Sequence, residues 1–117
     1  MQPARHVLLI DLSDDAQAIA QYEAWHMAGA LPPAIAASIR GADVLAMDIY
    51  RSGNRLVMIM ETGPGFNAES KAAADAADPT VQAWEATLDT VQRPLPWALA
   101  GEKWTAAEPI FSLADQP

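Results

Sequence analysis

The segment that most constrains the fold lies in the middle of the chain, where two apolar stretches flank Ser52-Gly53-Asn54. These stretches are 43–51 (DVLAMDIYR) and 55–62 (RLVMIMET), and their length and apolar residues indicate β-strands. Glycine and asparagine in so short a connection supply the positive φ angles that a hairpin requires. The centre of the chain is therefore predicted to be an antiparallel hairpin.

Further helices and strands are predicted on both sides of this hairpin. Before it come a strand at 5–12 and helices at 15–27 and 31–40, which could also be one helix kinked by its prolines. After it come helices at 66–77 and from Asp78-Pro79 to about 91, a loop-like stretch at 93–108 and a strand at 108–113. This order is βαββαβ, which predicts an α+β fold with a ferredoxin-like antiparallel sheet and helices on one face.

The predicted sheet has a second face that no helix covers. The chain has 117 residues, which fit a single domain spanning 1–117, and 51% of them are hydrophobic. A chain this apolar is not expected to leave a whole sheet face in water. Two such sheets packed face to face would cover both. We therefore expect a homodimer in the form of a dimeric α+β barrel.

Charge and composition exclude several classes of function. The net charge is −8 with only seven Lys and Arg residues, so a nucleic-acid partner is excluded and an anionic membrane surface is disfavoured. No apolar run approaches the length of a membrane span. The chain has no cysteine, which excludes disulfides and thiolate chemistry. The amino-terminal segment lacks a signal-peptide cleavage pattern, and a cytoplasmic protein is expected.

Tyr22 and His26 are the first candidates for chemistry. They lie four residues apart on a predicted helix, so their side chains share a face. An imidazole gives and takes a proton near neutral pH, and a phenol can donate one. The competing interpretation is a partly exposed histidine at a helix end, where the helix dipole favours its charge. No metal-binding spacing or phosphate-binding loop is present, so neither a metal nor a cofactor is expected.

Two carboxylates in the hairpin are further candidates. Asp48 interrupts an apolar strand, where a charge indicates either a polar cavity or a solvated strand position. Glu61 lies near the far end of the other strand. A two-residue turn at Gly53-Asn54 would pair Ala46 with Glu61 and place both carboxylates on one face, whereas a three-residue turn would separate them.

Four tryptophans in a chain of this length invite a sugar-binding interpretation, because the apolar faces of sugars stack on indoles. Trp84 lies on the apolar stripe of its helix, which favours a core residue over a pocket residue. Trp97 and Trp104 lie in the loop-like stretch, where they could pack the loop or form a lid over a pocket.

The order of these features resembles the L-rhamnose mutarotase family over nearly the whole chain. The shared markers are the YxxxH of Tyr22 and His26 with the prolines after it, the Asn54-Arg55-Leu56 bend, DPTVQAW at 78–84 and PIFSL at 109–113. The resemblance implies a small dimeric ferredoxin-like enzyme with Tyr22 and His26 in its sugar site and His26 acting in proton transfer. It also maps Trp84 onto the family's site tryptophan.

Three departures from the family pattern bear on the identity of the sugar. Glu85 follows Trp84 where the family often has a second tryptophan, Val44-Leu45 replaces a common aromatic, and the loop at 92–97 has its own sequence. These changes affect the lining and lid of the pocket. L-Fucose is therefore a candidate substrate beside L-rhamnose.

The resulting hypothesis is a mutarotase that interconverts the α and β anomers of a 6-deoxy-L-hexopyranose by acid–base ring opening and reclosure. His26 is predicted to be the acid at the ring oxygen, with Tyr22 or a carboxylate as its partner, Asp48 ahead of Glu61. Trp84 and Trp97 are predicted to line the pocket. The alternatives are a cofactor-independent monooxygenase on the same barrel, which would show a dry aromatic slot, and a binding module without catalysis.

Overall fold

A computed structural model describes residues 3–117 of the chain. The elements, in chain order, are strand β1 (Ala4–Leu12), helices α1 (Ala16–Trp25) and α2 (Pro33–Gly41), strands β2 (Val44–Ser52) and β3 (Arg55–Thr62), helices α3 (Ala68–Ala77) and α4 (Pro79–Asp89), strands β4 (Gln92–Arg93) and β5 (Thr105–Ala106), and a final 3₁₀ turn (Leu113–Asp115). Helices α1 and α2 are separate, so the 15–40 region holds two helices rather than one kinked helix.

The helix starts follow from local chemistry that the sequence displays. Asp15 caps α1 by accepting a hydrogen bond from the backbone N–H of Gln17 at 3.0 Å. Asp78 caps α4 through the N–H groups of Thr80 and Val81, and Pro79 occupies the first helical position. These caps fix where the two helices that build the site begin.

The sheet has the strand order β2-β3-β1-β4, and β5 also pairs with β1. All of these pairings are antiparallel. The predicted ferredoxin-like α+β fold is therefore confirmed.

The hairpin turn contains two residues. Ser52 pairs with Arg55 across Gly53-Asn54, and Gly53 has a φ of 60°. Ala46 consequently pairs with Glu61, and Asp48 and Glu61 share a face of the sheet. The first of the two predicted registers is the one observed.

The helices pack against one face of the sheet only. That face carries Ile10 and Leu12 from β1 and Leu56 from β3, which form a buried core with residues of α1, α4 and the stretch after α4: Ala18, Tyr22, Leu88 and Val91. The opposite face carries Val7, Leu9, Val57 and Ile59, which stay partly exposed. We call it the open face.

The prediction of a strand at 108–113 is wrong, because the structure has no strand there. Eleven residues separate β4 from β5, which is the last strand among the described residues. The pairing of β5 with β1 continues only to the hydrogen bond from the Ala107 N–H to the Val7 carbonyl at 2.8 Å. Pro109 has no N–H to donate, so the ladder cannot continue through it. The apolar residues beyond are left exposed, with Ile110 at 95%, Phe111 at 69% and Leu113 at 76%. The stretch predicted as a loop at 93–108 contains Arg93 of β4 and the whole of β5.

Candidate active site

A cavity of about 230 Å³ lies between the covered face of the sheet and the helices. Met47, Ile49 and Met58 from β2 and β3 form its apolar floor. Its walls combine aromatic and polar side chains from α1, α2, α3, α4 and the stretch after α4, chiefly Tyr22, His26, Ser38, Lys71, Asp75, Trp84, Glu85, Gln92, Lys103 and Trp104. Such a mixture of apolar surface and convergent polar groups is typical of a small-molecule site.

His26 enters this cavity from the carboxyl end of α1, where it is the capping residue. Its Nδ1 lies 2.7 Å from the carbonyl oxygen of Tyr22, one turn earlier. A carbonyl oxygen only accepts, so Nδ1 carries the proton of this hydrogen bond. The neutral ring therefore presents Nε2 as an acceptor, and the charged ring presents Nε2–H as a donor.

Tyr22 packs directly against this imidazole. The two ring centroids are 4.1 Å apart with an interplanar angle of 24°, so the rings are stacked. Tyr22 is only 3% exposed. Burial raises the pKa of its phenol to about 12, the Gln92 amide acts in the opposite direction, and the negative charge of Glu85 adds to the increase. The phenol is a hydrogen-bond and proton donor at neutral pH, and it is not a base there.

Trp84 completes the aromatic cluster from the side of α4. Its ring centroid lies 5.6 Å from that of His26, tilted by 55°. Trp84 is partly buried, packs against the core cluster and also lines the cavity. Trp84 is therefore both a core residue and a residue of the cavity wall.

Two ion-pair clusters form the polar part of the wall. Lys71 contacts Asp75 at 2.5 Å and Ser38 at 3.2 Å, which joins α3 to α2. Lys103 contacts Glu85 at 2.5 Å and Asp89 at 2.8 Å, which ties the stretch before β5 to α4. Burial alone would lower the pKa of Lys103, but its hydrogen bonds to Asp89 and Glu85 outweigh burial and raise the pKa. The ammonium group of Lys103 therefore remains charged beside the cavity.

Three of the predicted site residues lie away from this cavity. Successive strand residues alternate between faces, so Asp48 and Glu61 face opposite to Ile49 and Met58 and lie on the open face. Trp97 is 59% exposed and stacks near Arg55, whose guanidinium carbon is 5.1 Å from the indole centroid. Arg55 also lies on the open face, where Asp11 accepts hydrogen bonds from its Nε and Nη2 at 2.7 and 3.1 Å. The structure thus brings together Tyr22, His26 and Trp84 and leaves out Asp48, Glu61 and Trp97.

The cavity also contains residues that sequence reasoning did not select for the site. Gln92 is 5% exposed and lines the wall beside Tyr22, and Lys103 and Trp104 approach from the stretch that leads into β5. The available signal for Gln92 was only that a polar residue directly follows the apolar Val91. Trp104 was considered as a loop-packing or lid residue but was not selected for the site. Lys103 gave no signal, because its approach depends on the path of the chain between β4 and β5.

No group of three or more His, Asp or Glu side chains within residues 3–117 is arranged to hold a metal ion. Across the same residues, every helix is too short or too polar to cross a membrane.

The ferredoxin-like fold thus holds an oriented imidazole in a cavity of aromatic and polar side chains, an arrangement suited to proton transfer on a small hydroxylated molecule. Comparison of the sequence with known families identifies the class of protein. Residues 5–113 match the family described as L-rhamnose mutarotase, and the chain belongs to that family of isomerases. An L-fucose mutarotase of Xanthomonas campestris pv. campestris is 44% identical over 115 residues, which cover 98% of this chain and 92% of the relative.

Proposed function

We propose that this protein interconverts the α and β anomers of L-fucose, a 6-deoxy-L-hexopyranose, in preference to L-rhamnose. The observation that carries the proposal is the imidazole of His26, oriented by the Tyr22 carbonyl and enclosed with Trp84 at one cavity. The choice of L-fucose rests on the relative whose name specifies that sugar and which aligns with almost the entire chain.

The proposed reaction begins with neutral His26. Nε2 takes the proton of the anomeric hydroxyl as the C1–O5 bond breaks and the aldehyde forms at C1. A donor protonates the departing ring oxygen. After rotation about the C1–C2 bond, the C5 hydroxyl adds to the other face of the aldehyde, and both protons return to their original carriers. Acid and base groups of this kind are each worth about 10² to 10⁴ in rate.

Tyr22 is the proposed donor to the ring oxygen. Its raised pKa of about 12 excludes it as the base at neutral pH, so His26 has to be the base if these two residues form the pair. An alkoxide leaving C1 is a stronger base than a phenolate, which makes transfer from the phenol favourable. This assignment reverses the sequence-based expectation that His26 supplies the acid, and it uses no carboxylate from the hairpin.

The alternative functions differ in what they require of the cavity. A monooxygenase for flat apolar substrates calls for a dry aromatic slot, whereas here Ser38, Lys71, Asp75, Glu85 and Lys103 place charged and polar groups in the wall. Such groups suit a ligand with several hydroxyls. A binding module without catalysis would need the same wall but no proton carrier, and only turnover distinguishes it from the mutarotase.

The homodimer is part of the proposal. The open face exposes a partly buried apolar row on β1 and β3, and the residues after β5 extend away from the chain with Ile110 and Phe111 exposed. The radius of gyration is 15.1 Å, against about 13 Å for a compact domain of this length. A second copy seated on the open face would cover both the row and the extended segment.

We also propose the cytoplasm as the compartment, as the sequence led us to expect. Fractionation of cells that produce the untagged protein, with detection in the cytosolic fraction, tests this assignment.

Anomer exchange measured by saturation-difference NMR tests the proposed function. L-Fucose, L-rhamnose and D-glucose are compared with and without the enzyme. We expect exchange of L-fucose to be accelerated most, that of L-rhamnose less, and that of D-glucose least. Equal or no acceleration for the three sugars would contradict the proposal.

A further inference from the structure

Gln92 occupies an unusual position for an amide side chain. It lies in β4, where its backbone pairs with Leu12 at the edge of the sheet, and its side chain is 5% exposed against the wall of the cavity. The residue that follows, Arg93, is exposed. The chain therefore holds one long polar side chain inside the site while its neighbour remains in solvent.

The amide oxygen of this side chain has no partner within the described part of the chain. Gln92 Oε1 is buried and accepts no hydrogen bond from any of residues 3–117. It is the single buried side-chain nitrogen or oxygen atom in this state over that range. Buried polar groups of native proteins are nearly always paired. A buried acceptor without a partner therefore calls for an explanation, such as a ligand that supplies the donor.

The surroundings of Gln92 place this acceptor in the proposed sugar site. The Gln92 side chain lies near the phenol of Tyr22, which is stacked on the imidazole of His26. That oxygen accepts from no donor among residues 3–117 in this conformation, and a donor that enters the cavity can satisfy it. The hydroxyl groups of a sugar are such donors.

We propose that Gln92 is a specificity-determining residue whose amide oxygen accepts a hydrogen bond from one ring hydroxyl of the sugar, other than the anomeric hydroxyl. The inference rests on the proposed function and adds to it the recognition of a particular hydroxyl. A site that holds a buried acceptor discriminates against an analogue without the matching donor, because the acceptor then stays unpaired. The expected discrimination is about 5- to 150-fold.

The test combines Gln92→Met with single-deoxy sugars. Anomer exchange is measured for L-fucose and for its 2-, 3- and 4-deoxy analogues, each rate being divided by the uncatalysed rate of the same sugar. The control variant is Gln82→Met, which makes the same change on the exposed side of α4, where the Gln82 amide bonds the Asp75 carbonyl outside the cavity. Thermal midpoints of all variants are recorded alongside.

We expect the wild-type enzyme to discriminate against one deoxy sugar by about 5- to 150-fold. Gln92→Met should lower the kcat/KM of L-fucose by that factor and leave that deoxy sugar within about twofold of its wild-type value. Its thermal midpoint should stay the same or rise, because methionine removes an unpaired buried acceptor. Gln82→Met should retain the wild-type pattern.

Two results would overturn the inference while leaving the proposed function intact. Gln92→Met could retain full activity on every sugar, or it could lower all four sugars by the same factor, as a residue that only shapes the cavity or positions Tyr22 would. Failure of the wild-type enzyme to accelerate any of the sugars would instead overturn the proposed function, and the inference would fall with it.

Discussion

The two faces of the sheet carry similar apolar side chains but differ in what packs against them. On the covered face, Met47, Ile49 and Met58 form the floor of a cavity whose walls hold Tyr22 and His26. On the open face, Val57 and Ile59 are equally apolar but pair with the partly buried Leu9 and Val7, with no helix packed over them among residues 3–117. The same two strands thus supply both faces, and the helices packed against one of them decide which face becomes a site.

Whether a polar residue of a strand can contribute to the cavity depends on the face of the sheet on which it lies. Asp48 and Glu61 share a face with each other, but that face is the one without helices. Gln92, a neutral residue in a two-residue strand, reaches the cavity because the chain turns back after α4 to pair with the end of β1. The packing of the helices, and not the charge of the residue, selects the chemistry.

The largest expected effect separates the two histidines of the chain. His26→Ala should lower kcat for anomer exchange by about 10² to 10⁴, because it removes the proton carrier from the cavity. His6→Ala is the matched control, since His6 contacts the Thr62 hydroxyl at 3.0 Å outside the cavity and should keep most of the activity. Saturation-difference NMR on L-fucose measures both variants. Full activity in His26→Ala would remove the catalytic assignment of His26, whereas no turnover by the wild-type protein would favour a binding module.

The next largest effect concerns the exposed segment after β5, which the proposed dimer would cover together with the open face. Replacing Phe111 with aspartate should abolish or greatly weaken the proposed dimer, because each copy loses the burial of one large apolar side chain, worth about 2 to 3 kcal/mol, and gains a charge. Sedimentation equilibrium over a concentration series measures the change as a fall in mass toward that of one chain. Glu108→Gln, which alters an exposed polar residue of the same segment, is the control. A wild-type mass equal to that of a single chain would refute the dimer directly.

Much of the covered face could be predicted from sequence, because its signals are local. The spacing of Tyr22 and His26 gave their shared helix face, and Asp78-Pro79 gave the start of α4. The assignment of faces in the hairpin could not be predicted, because the five residues from Leu56 to Met60 are all apolar and do not indicate which of them meet helices. The stretch PIFSL has the composition of a strand but pairs with no strand among residues 3–117, and strand preference depends on such context.

A smaller effect tests the burial of Tyr22 against an exposed tyrosine of the open face. An unfolded phenol ionises near pH 10, whereas the folded pKa of Tyr22 is about 12, so its contribution to stability is complete below pH 10 and is lost as pH rises toward 12. The loss in unfolding free energy should approach about 3 kcal/mol. Urea unfolding between pH 8 and 11.5 measures it.

The matched variants isolate this contribution from other groups that titrate in the same range, such as Lys103. Tyr22→Phe should show a shallower decline in stability than the wild-type protein above pH 10. Tyr50→Phe should keep the full decline, because Tyr50 is 58% exposed on the open face and the variant retains Tyr22. Parallel stability curves for the wild type and Tyr22→Phe would show that the Tyr22 phenol is not shielded from solvent.

The smallest expected effect is the most direct test of the difference between the faces. Asp48→Asn changes a carboxylate on the open face, outside the cavity of its own chain, and should alter kcat/KM by less than about twofold, as exposed substitutions away from a site commonly do. Glu85→Gln is the contrasting variant, because Glu85 lines the cavity and contacts Lys103. It should lower kcat/KM more than Asp48→Asn does. A loss of 100-fold or more in Asp48→Asn would instead mean that the open face contributes to a sugar site, which requires a second copy to bring that carboxylate to the bound sugar.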